Sequence, residues 1–459
     1  MKIIDSNQSY IDFLDDFLTD SSIIIPILSD HRKHVLNNKL SLLYVYVLGG
    51  HEYVIPVNHY ESLFDITVAQ LKTDLDNGLK KYVYDKKIVK HLFNWDFIID
   101  TNLIHHFKYN SPLDSSKLFT SAHEFYNGKY WKYGNINDFI PITKHIEYCT
   151  QLKNALISLI DFDDKSFQLY NNSIDNYVKI ESAGMNVTNN KFNSTFGPTA
   201  KIHIDSNKTY TEYNMFTSTG RPSNRHGGIN YSALNKDDGT RSCFTSRFEN
   251  GAMIEYDFDA YHLRLIAQLI DYELPKSSVH RYMAKMYFDK NDISEDEYKK
   301  AKEISFRILY GGVPKEYEHI KFFSEVKNFI NSLWKHFNFN GYIETPVFMK
   351  KLYKKNYEDM NRNKLFNYYI QAMETEANSV MIEKILNVTK KYNSELILTT
   401  YDSMLFDFDI TDGKSFLDEI ANCFDYPVKV QYGFDYDSMS DVTQKVLSWY
   451  LYNSYTKQL

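Results

Sequence analysis

Cysteine is scarce in this chain of 459 residues. Its three cysteines, Cys149, Cys243 and Cys423, stand far apart. They make neither a zinc-ligand spacing nor a disulfide framework, which points to a reducing, cytoplasmic compartment. Long apolar runs are missing too. The longest, "SLLYVYVLGG" at 41–50, is too short to cross a bilayer, so no membrane partner is expected. The opening "MKIIDSNQSY" lacks the features of a signal peptide. There is no low-complexity tract and no internal repeat. A basic excess is also absent. Net charge is −7, which excludes a protein coated in positive surface. A local stripe is enough for a nucleic-acid enzyme, and residues 285–364 carry 16 Lys and Arg against 12 Asp and Glu. A solvated helical surface would give the same count.

What the chain does have is length for two or three sub-domains and many aromatics, with 38 Tyr and 31 Phe. "IEYDFDAYHLRLIAQL" at 254–269 reads as a strand end running into a helix. It places Asp257 and Asp259 at the junction. "ELILTTYDSMLFDFD" at 395–409 reads as a hairpin with Asp402-Ser403 at the bend. A junction Asp is usually a cap and a hairpin Asp usually a turn residue. Two carboxylates at separate strand ends are also the minimum kit for a two-metal site that transfers phosphoryl groups.

Between them lies "YKKAKEISFRILYGG", 298–312. Lys302, Phe306 and Tyr310 fall at i, i+4 and i+8 on one helical face. Such a line can meet a nucleoside triphosphate, with Lys on phosphate, a ring under the base and Tyr at the sugar. An ordinary amphipathic stripe looks the same.

Taken in order, these segments resemble those of family A DNA polymerases. "FTSTGRPSN" (216–224) resembles the T-x-T-G-R segment, in which Arg221 would reach the primer end. "GGINYSAL", with Asn230, and the "RSCF" segment, with Arg241, resemble the stretch that follows. "YDFDAYHLRLIAQL" resembles motif A and "SVH", with His280, a segment near the nucleotide phosphates. "KEISFRILYGG" resembles motif B, and "NYYIQAMETEA", with Asn367 and Gln371, the helix that reads template and primer. "YDSMLFDFD", with Tyr401, resembles motif C. The resemblance covers 210–440. It implies Asp257, Asp402 and the Phe258 carbonyl as ligands of two Mg2+ ions, for which Mn2+ can substitute. It implies a dNTP site at His262, His280, Lys302, Phe306 and Tyr310, with Lys302 catalytic. Asp259 then reads as a helix N-cap and Arg264 as a structural residue.

Three departures stand out. His262 replaces the Glu that helps exclude a ribose 2′-hydroxyl. Tyr298 replaces the first Arg of motif B, and Lys299 lies about 100° away around the helix. Motif C is Tyr401-Asp402-Ser403 rather than H-D-E. An Asp-Ser pair also occurs in single-subunit RNA polymerases, which keeps RNA or primer synthesis open as a rival. Phe306 and the T-x-T-G-R segment favour DNA. A catalytically inactive DNA-binding module is a second rival, and the retained Asp257 and Asp402 speak against it.

The N-terminal third resembles a ribonuclease-H-like 3′–5′ exonuclease domain, but Pro26 and Leu28 stand where its first strand should carry D-x-E. Asp85 is kept. The last acidic motif is out of register at Tyr133 and Asp138, and Asp30 is an alternative ligand. The resemblance therefore implies a fold retained without proofreading. "YVKIESAGMNV" at 177–187 resembles the start of the thumb, yet only about 35 residues separate Gly184 from Gly220. A thumb that short should give few phosphate contacts, hence weak grip or a processivity partner.

The expected fold class is α+β: a right-hand polymerase with palm, fingers and minimal thumb, preceded by an exonuclease-type α/β domain. Its expected parts are 1–145 exonuclease-like, 146–215 linker and reduced thumb, 216–272 palm, 273–362 fingers and 363–459 palm. Primer-template DNA and dNTPs are the expected partners, in replication or repair. The compact form fits a virus or mobile element, and then a host-cell cytoplasm.

Overall fold

Helix starts follow the capping chemistry of the sequence. Ser6, Asp85, Ser294 and Asn361 each accept a first-turn N–H of the helix that follows. The computed structural model describes residues 1–114, 137–197 and 204–443, leaving aside the side chains at 204–205 and 309–310. Tyr133 lies outside the described residues. The chain divides into two compact units. One comprises Met1–Ser182, Gly197–Glu212 and His226–Ile229. The other comprises Ala183–Phe196, Tyr213–Arg225 and the chain from Asn230.

The first unit is built on six strands: β1 (Lys2–Ile3), β2 (Ser22–Leu28), β3 (Leu40–Val47), β4 (Glu52–Pro56), β5 (Lys81–Val83) and β6 (Ile98–Asp100). Their order is β1-β4-β3-β2-β5-β6. β2, β3 and β4 run antiparallel, while β5 and β6 follow parallel to β2. This is the ribonuclease-H-like arrangement. β2 and β3 are almost continuously apolar because both faces are covered. On one face pack α1 (Asn7–Phe17), α2 (Val68–Asp74) and α3 (Lys86–Phe93), and on the other α5 (Ile142–Ile157). α4 (Thr101–Tyr109) and α6 (Lys165–Ala183) complete the helices used below.

The acids of this unit have local partners. Asp85 caps α3 and Asp100 caps α4. Asp30 holds Arg32 in a two-pronged ion pair, which keeps its carboxyl at about 2. Asp138 accepts from Ser29 at 2.7 Å. Pro26 and Leu28 lie on β2 opposite Leu43 and Leu40.

The second unit is centred on an antiparallel sheet of β7 (Gly251–Phe258), β8 (Glu395–Thr400), β9 (Ser403–Asp409), β10 (Val428–Gly433) and β11 (Ser440–Asp441), ordered β8-β9-β7-β10-β11. Five helices share one apolar core beside it: α7 (Tyr261–Leu269), α8 (Val279–Phe288), α9 (Glu295–Gly311), α10 (Lys321–Asn340) and α11 (Arg362–Thr389). α9 begins in a capping box of Ser294 and Glu297, with Glu295, Asp296 and Glu297 set against the positive helix end. It stops at Gly312, whose φ is +87°. A Cβ there would meet the Asn363 amide at 2.8 Å.

Asp259 is not a helix N-cap. That place belongs to Ala260, held in the left-handed region at φ 56°, and no side chain caps α7. Asp259 instead pairs with Arg264, whose guanidinium also donates to the carbonyls of Asp259, Pro275 and Ser277. The structural reading of Arg264 matches these bonds.

Asp407 anchors the central hairpin. It is fully buried on β9 and accepts from Ser246 Oγ, Arg247 N and Arg247 Nε at 2.6, 3.1 and 2.7 Å. Removing it takes three hydrogen bonds from Ser246 and Arg247 and leaves Arg247 with Glu395 as its one carboxylate among the described residues. Asp407→Ala should cost about 2–3 kcal/mol, read as a lower urea midpoint, with Asp407→Asn costing less. An unchanged midpoint would mean that the pair contributes nothing.

Candidate active site

Sheet register builds the site. β7 pairs with β9 so that Asp257 faces Ser403, and with β10 so that Asp257 faces Lys429. The turn between β8 and β9 consists of Tyr401 and Asp402, and Tyr401 takes φ 58° to close it. Phe258 donates its N–H to the Asp402 carbonyl at 3.0 Å. Two carboxylates from segments 145 residues apart therefore stand at adjacent strand ends.

Both are largely buried, and among the described residues neither is ion-paired. Burial, then the charge of Asp402, pushes the Asp257 carboxyl up to about 7. Asp402 is raised as well, by burial and then by Glu374. Such a pair is electrostatically incomplete and fits a divalent cation: hard oxygen donors, negative charge and no built-in counter-ion.

A pocket opens in front of this pair. It is lined by Asp257, Phe258, Asp402, Arg221, His262, His280, Lys302, Ser305, Phe306, Glu374 and Lys429, among others. Lys302, Ser305 and Phe306 come from one face of α9, as the i, i+4 spacing anticipates. Phe306 keeps 40% of its surface exposed, unusual for a ring and suited to stacking on a flat ligand. His280, in the first turn of α8, lies 6.2 Å from the Phe306 ring, centroid to centroid. Burial holds its imidazole down at about 4, so it is neutral at physiological pH. Its Nδ1 has no hydrogen-bond partner among the described residues.

Glu374 and Lys429 were not anticipated. Glu374 sits on α11, only 1% exposed. Its Oε2 lies 2.8 Å from Arg221 Nε and 3.3 Å from His262 Nε2. Burial alone would raise this carboxyl, but His262 and Arg221 hold it below the usual range. The Arg221 guanidinium also stacks 3.8 Å over the Tyr401 ring. The position that lacks a Glu in motif A thus has one supplied from another helix. The signal was present: Asn367, Gln371, Glu374 and Asn378 form a polar i, i+4, i+7, i+11 stripe along this helix. Asn378 completes it, donating to the Tyr401 carbonyl at 2.6 Å. At Tyr298, where motif B lacks its Arg, the Arg281 guanidinium lies over the ring at 5.1 Å.

Other expected residues lie apart from the pocket lining. Arg241 is buried, donating to the Leu234 carbonyl and stacking on Tyr436. Asn230 precedes a short 3-10 turn without capping it through its side chain. Asn367 and Gln371 are half-buried on α11, and Tyr401 meets the site through Arg221. The side chain of Tyr310 lies outside the described residues.

The mutual charge effect gives a direct test. Asp402→Asn removes the second-largest cause of the Asp257 shift, so the Asp257 pKa should fall from about 7 towards the ordinary carboxylate range. A carboxyl-carbon NMR titration in metal-free buffer reads this. An unmoved value would mean that burial alone sets the shift.

No family model and no curated protein matches this chain. Among solved structures it is similar to the POL domain of Pol1 from M. smegmatis in complex with DNA primer-template and dNTP. The TM-score is 0.68 at 12% identity, over 95% of this chain and 99% of that one. At that identity the likeness is one of fold, and it establishes that this chain has the fold of a family A-like DNA polymerase domain.

Proposed function

We propose that the protein is a template-directed DNA polymerase that adds dNMP from dNTP to a primer 3′-hydroxyl. One observation carries the reading: a largely buried carboxylate pair, without an ion pair among the described residues, faces a pocket whose other walls offer Lys302, Arg221, neutral His280 and an exposed aromatic ring. Asp257, Asp402 and the Phe258 carbonyl would hold two Mg2+ ions, for which Mn2+ can substitute. Bound there, such ions supply activation of the attacking hydroxyl and neutralisation of the leaving pyrophosphate. The chain's own groups do the rest by positioning and charge. Lys302 and His280 meet the triphosphate, Phe306 stacks on the base, and His262 and Tyr310 lie at the sugar. Asn230, Arg241, Asn367, Gln371 and Tyr401 are assigned to primer and template.

The N-terminal unit is read as an exonuclease fold without proofreading, since Pro26 and Leu28 replace the D-x-E pair and Asp30 is committed to Arg32. The short segment between Gly184 and Gly220 supports a reduced thumb and a need for a processivity partner. The compact form supports a viral or mobile-element source and action in a host cytoplasm, in replication or repair.

Extension of a primed template with dNTPs and Mg2+ is the test. Asp257→Ala and Asp402→Ala should each abolish incorporation while the protein stays folded, a loss of several kcal/mol of transition-state stabilisation. Near-wild-type extension by either variant would overturn the assignment. With dNTPs withheld, a 3′-mismatched primer should keep its length.

The Asp402-Ser403 pair favours a second reading, RNA or primer synthesis, and the sugar decides between them. Glu374 and His262 act as one unit beside the site, so dNTPs should be preferred over NTPs. His262→Ala and Glu374→Gln should each erode the kcat/KM ratio by about fivefold, the worth of one ordinary hydrogen bond. The double variant should do no worse than either single one. A wild type that prefers NTPs outright would establish the RNA reading, and additive losses would show that the two residues act separately.

A further inference from the structure

The first unit contains a second cluster of ligand-type side chains, made only of its own residues. His34 precedes the short turn Val35–Asn37, His91 lies in the last turn of α3, and Glu181 lies near the end of α6. Three segments distant in sequence thus bring two imidazoles and a carboxylate together. Their ligand atoms all lie within 4.8 Å of one another, and they are the one such group of three among the described residues. His34 and Glu181 are buried and His91 half-buried.

Ordinary structural chemistry explains only part of this. Lys87 neutralises Glu181 through Oε1, at 2.8 Å, and leaves Oε2 turned to His91 Nε2, also at 2.8 Å. A helix pair could be tied by those two contacts alone. Yet a second imidazole, His34, is brought against His91, ring centroids 5.6 Å apart. A third, His226, stands edge-on to His34 at 5.0 Å and is paired with Glu212 at 3.2 Å. The Tyr210 ring stacks on His34 at 5.3 Å. Two imidazoles converging on one buried carboxylate suit a cation that takes nitrogen and oxygen donors together.

The surroundings match what ligands need. A ligating histidine usually hands its other ring nitrogen to a nearby oxygen, and a ligating carboxylate is usually hydrogen-bonded in turn. His91 Nδ1 lies 3.3 Å from Ser182 Oγ, and Glu181 Oε1 is held by Lys87. His34 Nδ1 accepts the Leu36 N–H only at 3.3 Å, a long bond that ligation can exchange. We propose that His34, His91 and Glu181 form a site for a first-row divalent cation of the Zn2+ class, with a fourth position filled by water. Two imidazoles and one carboxylate suit zinc and disfavour Mg2+, which demands oxygen donors. The site is separate from Asp257 and Asp402. It staples the Val35 turn, α3 and α6.

The test uses the full chain, stripped with a chelator and equilibrated with Zn2+ in a large excess of Mg2+. Bound zinc is counted by atomic emission, and Co2+ serves as a spectroscopic probe of nitrogen and oxygen ligation. One Zn2+ per chain is expected, with a rise in Tm on loading and a tetrahedral Co2+ band. Glu181→Gln, which keeps the shape, and His34→Asn, on an irregular turn, should each weaken zinc binding at least about tenfold. Asp257→Asn should bind as wild type does. If Glu181→Gln fails to fold, His34→Asn alone decides. A wild type that retains no zinc, or variants that bind it undiminished, would overturn the site and leave a hydrogen-bonded network.

Discussion

Two carboxylates that repel each other organise the second unit. Asp257 and Asp402 stand at adjacent strand ends in a largely buried setting, and neither has an ion pair among the described residues. Leaving that charge uncompensated is costly, so the fold around it has to be stiff. It is stiff for identifiable reasons. β7 is clamped between β9 and β10, the Phe258 N–H is bonded to the Asp402 carbonyl, and Asp407 ties the hairpin to Arg247 and Ser246. Two residues near the pair are held in a strained backbone conformation: Tyr401, directly before Asp402, and Ala260, three residues after Asp257, both take positive φ.

Donors nearby converge on Glu374 instead of on the pair. Arg221 and His262 both meet that carboxylate, which draws the Arg221 charge away from Asp402. Glu374 in turn raises Asp402. The arrangement keeps the Asp pair reactive towards an incoming cation while holding Arg221 rigid over Tyr401. A single buried Glu thus separates the positioning charges from the ligand charges.

The strand-end positions of Asp257 and Asp402 were legible because period-two apolar runs end abruptly at both. The Lys302–Phe306 line was legible because helical spacing is local. Asp259 was misread because its acidic type fits a cap, whereas its partner Arg264 and the left-handed Ala260 are set by tertiary contacts. Lys429 was invisible for a related reason. Only the β7–β10 register puts it opposite Asp257. Glu374 lay in plain sight on a polar stripe, but the eye stops at Asn367 and Gln371 when one face is read too short.

The first unit shows how the same residue type changes meaning with its neighbours. Its sheet has the ribonuclease-H-like order, so a reader of topology alone would look for metal-binding acids at the end of β2. There the chain has Pro26 and Leu28, packed opposite Leu43 and Leu40. Asp100 gives both oxygens to helix N–H groups, Asp85 gives Oδ1 to two of them, and Asp30 gives both oxygens to Arg32. A carboxylate already saturated by donors gains little from a cation, because binding must first break those bonds. What distinguishes Asp257 and Asp402 is therefore not that they are acidic or buried. It is that, among the described residues, they have neither an ion-pair partner nor a helix end to cap.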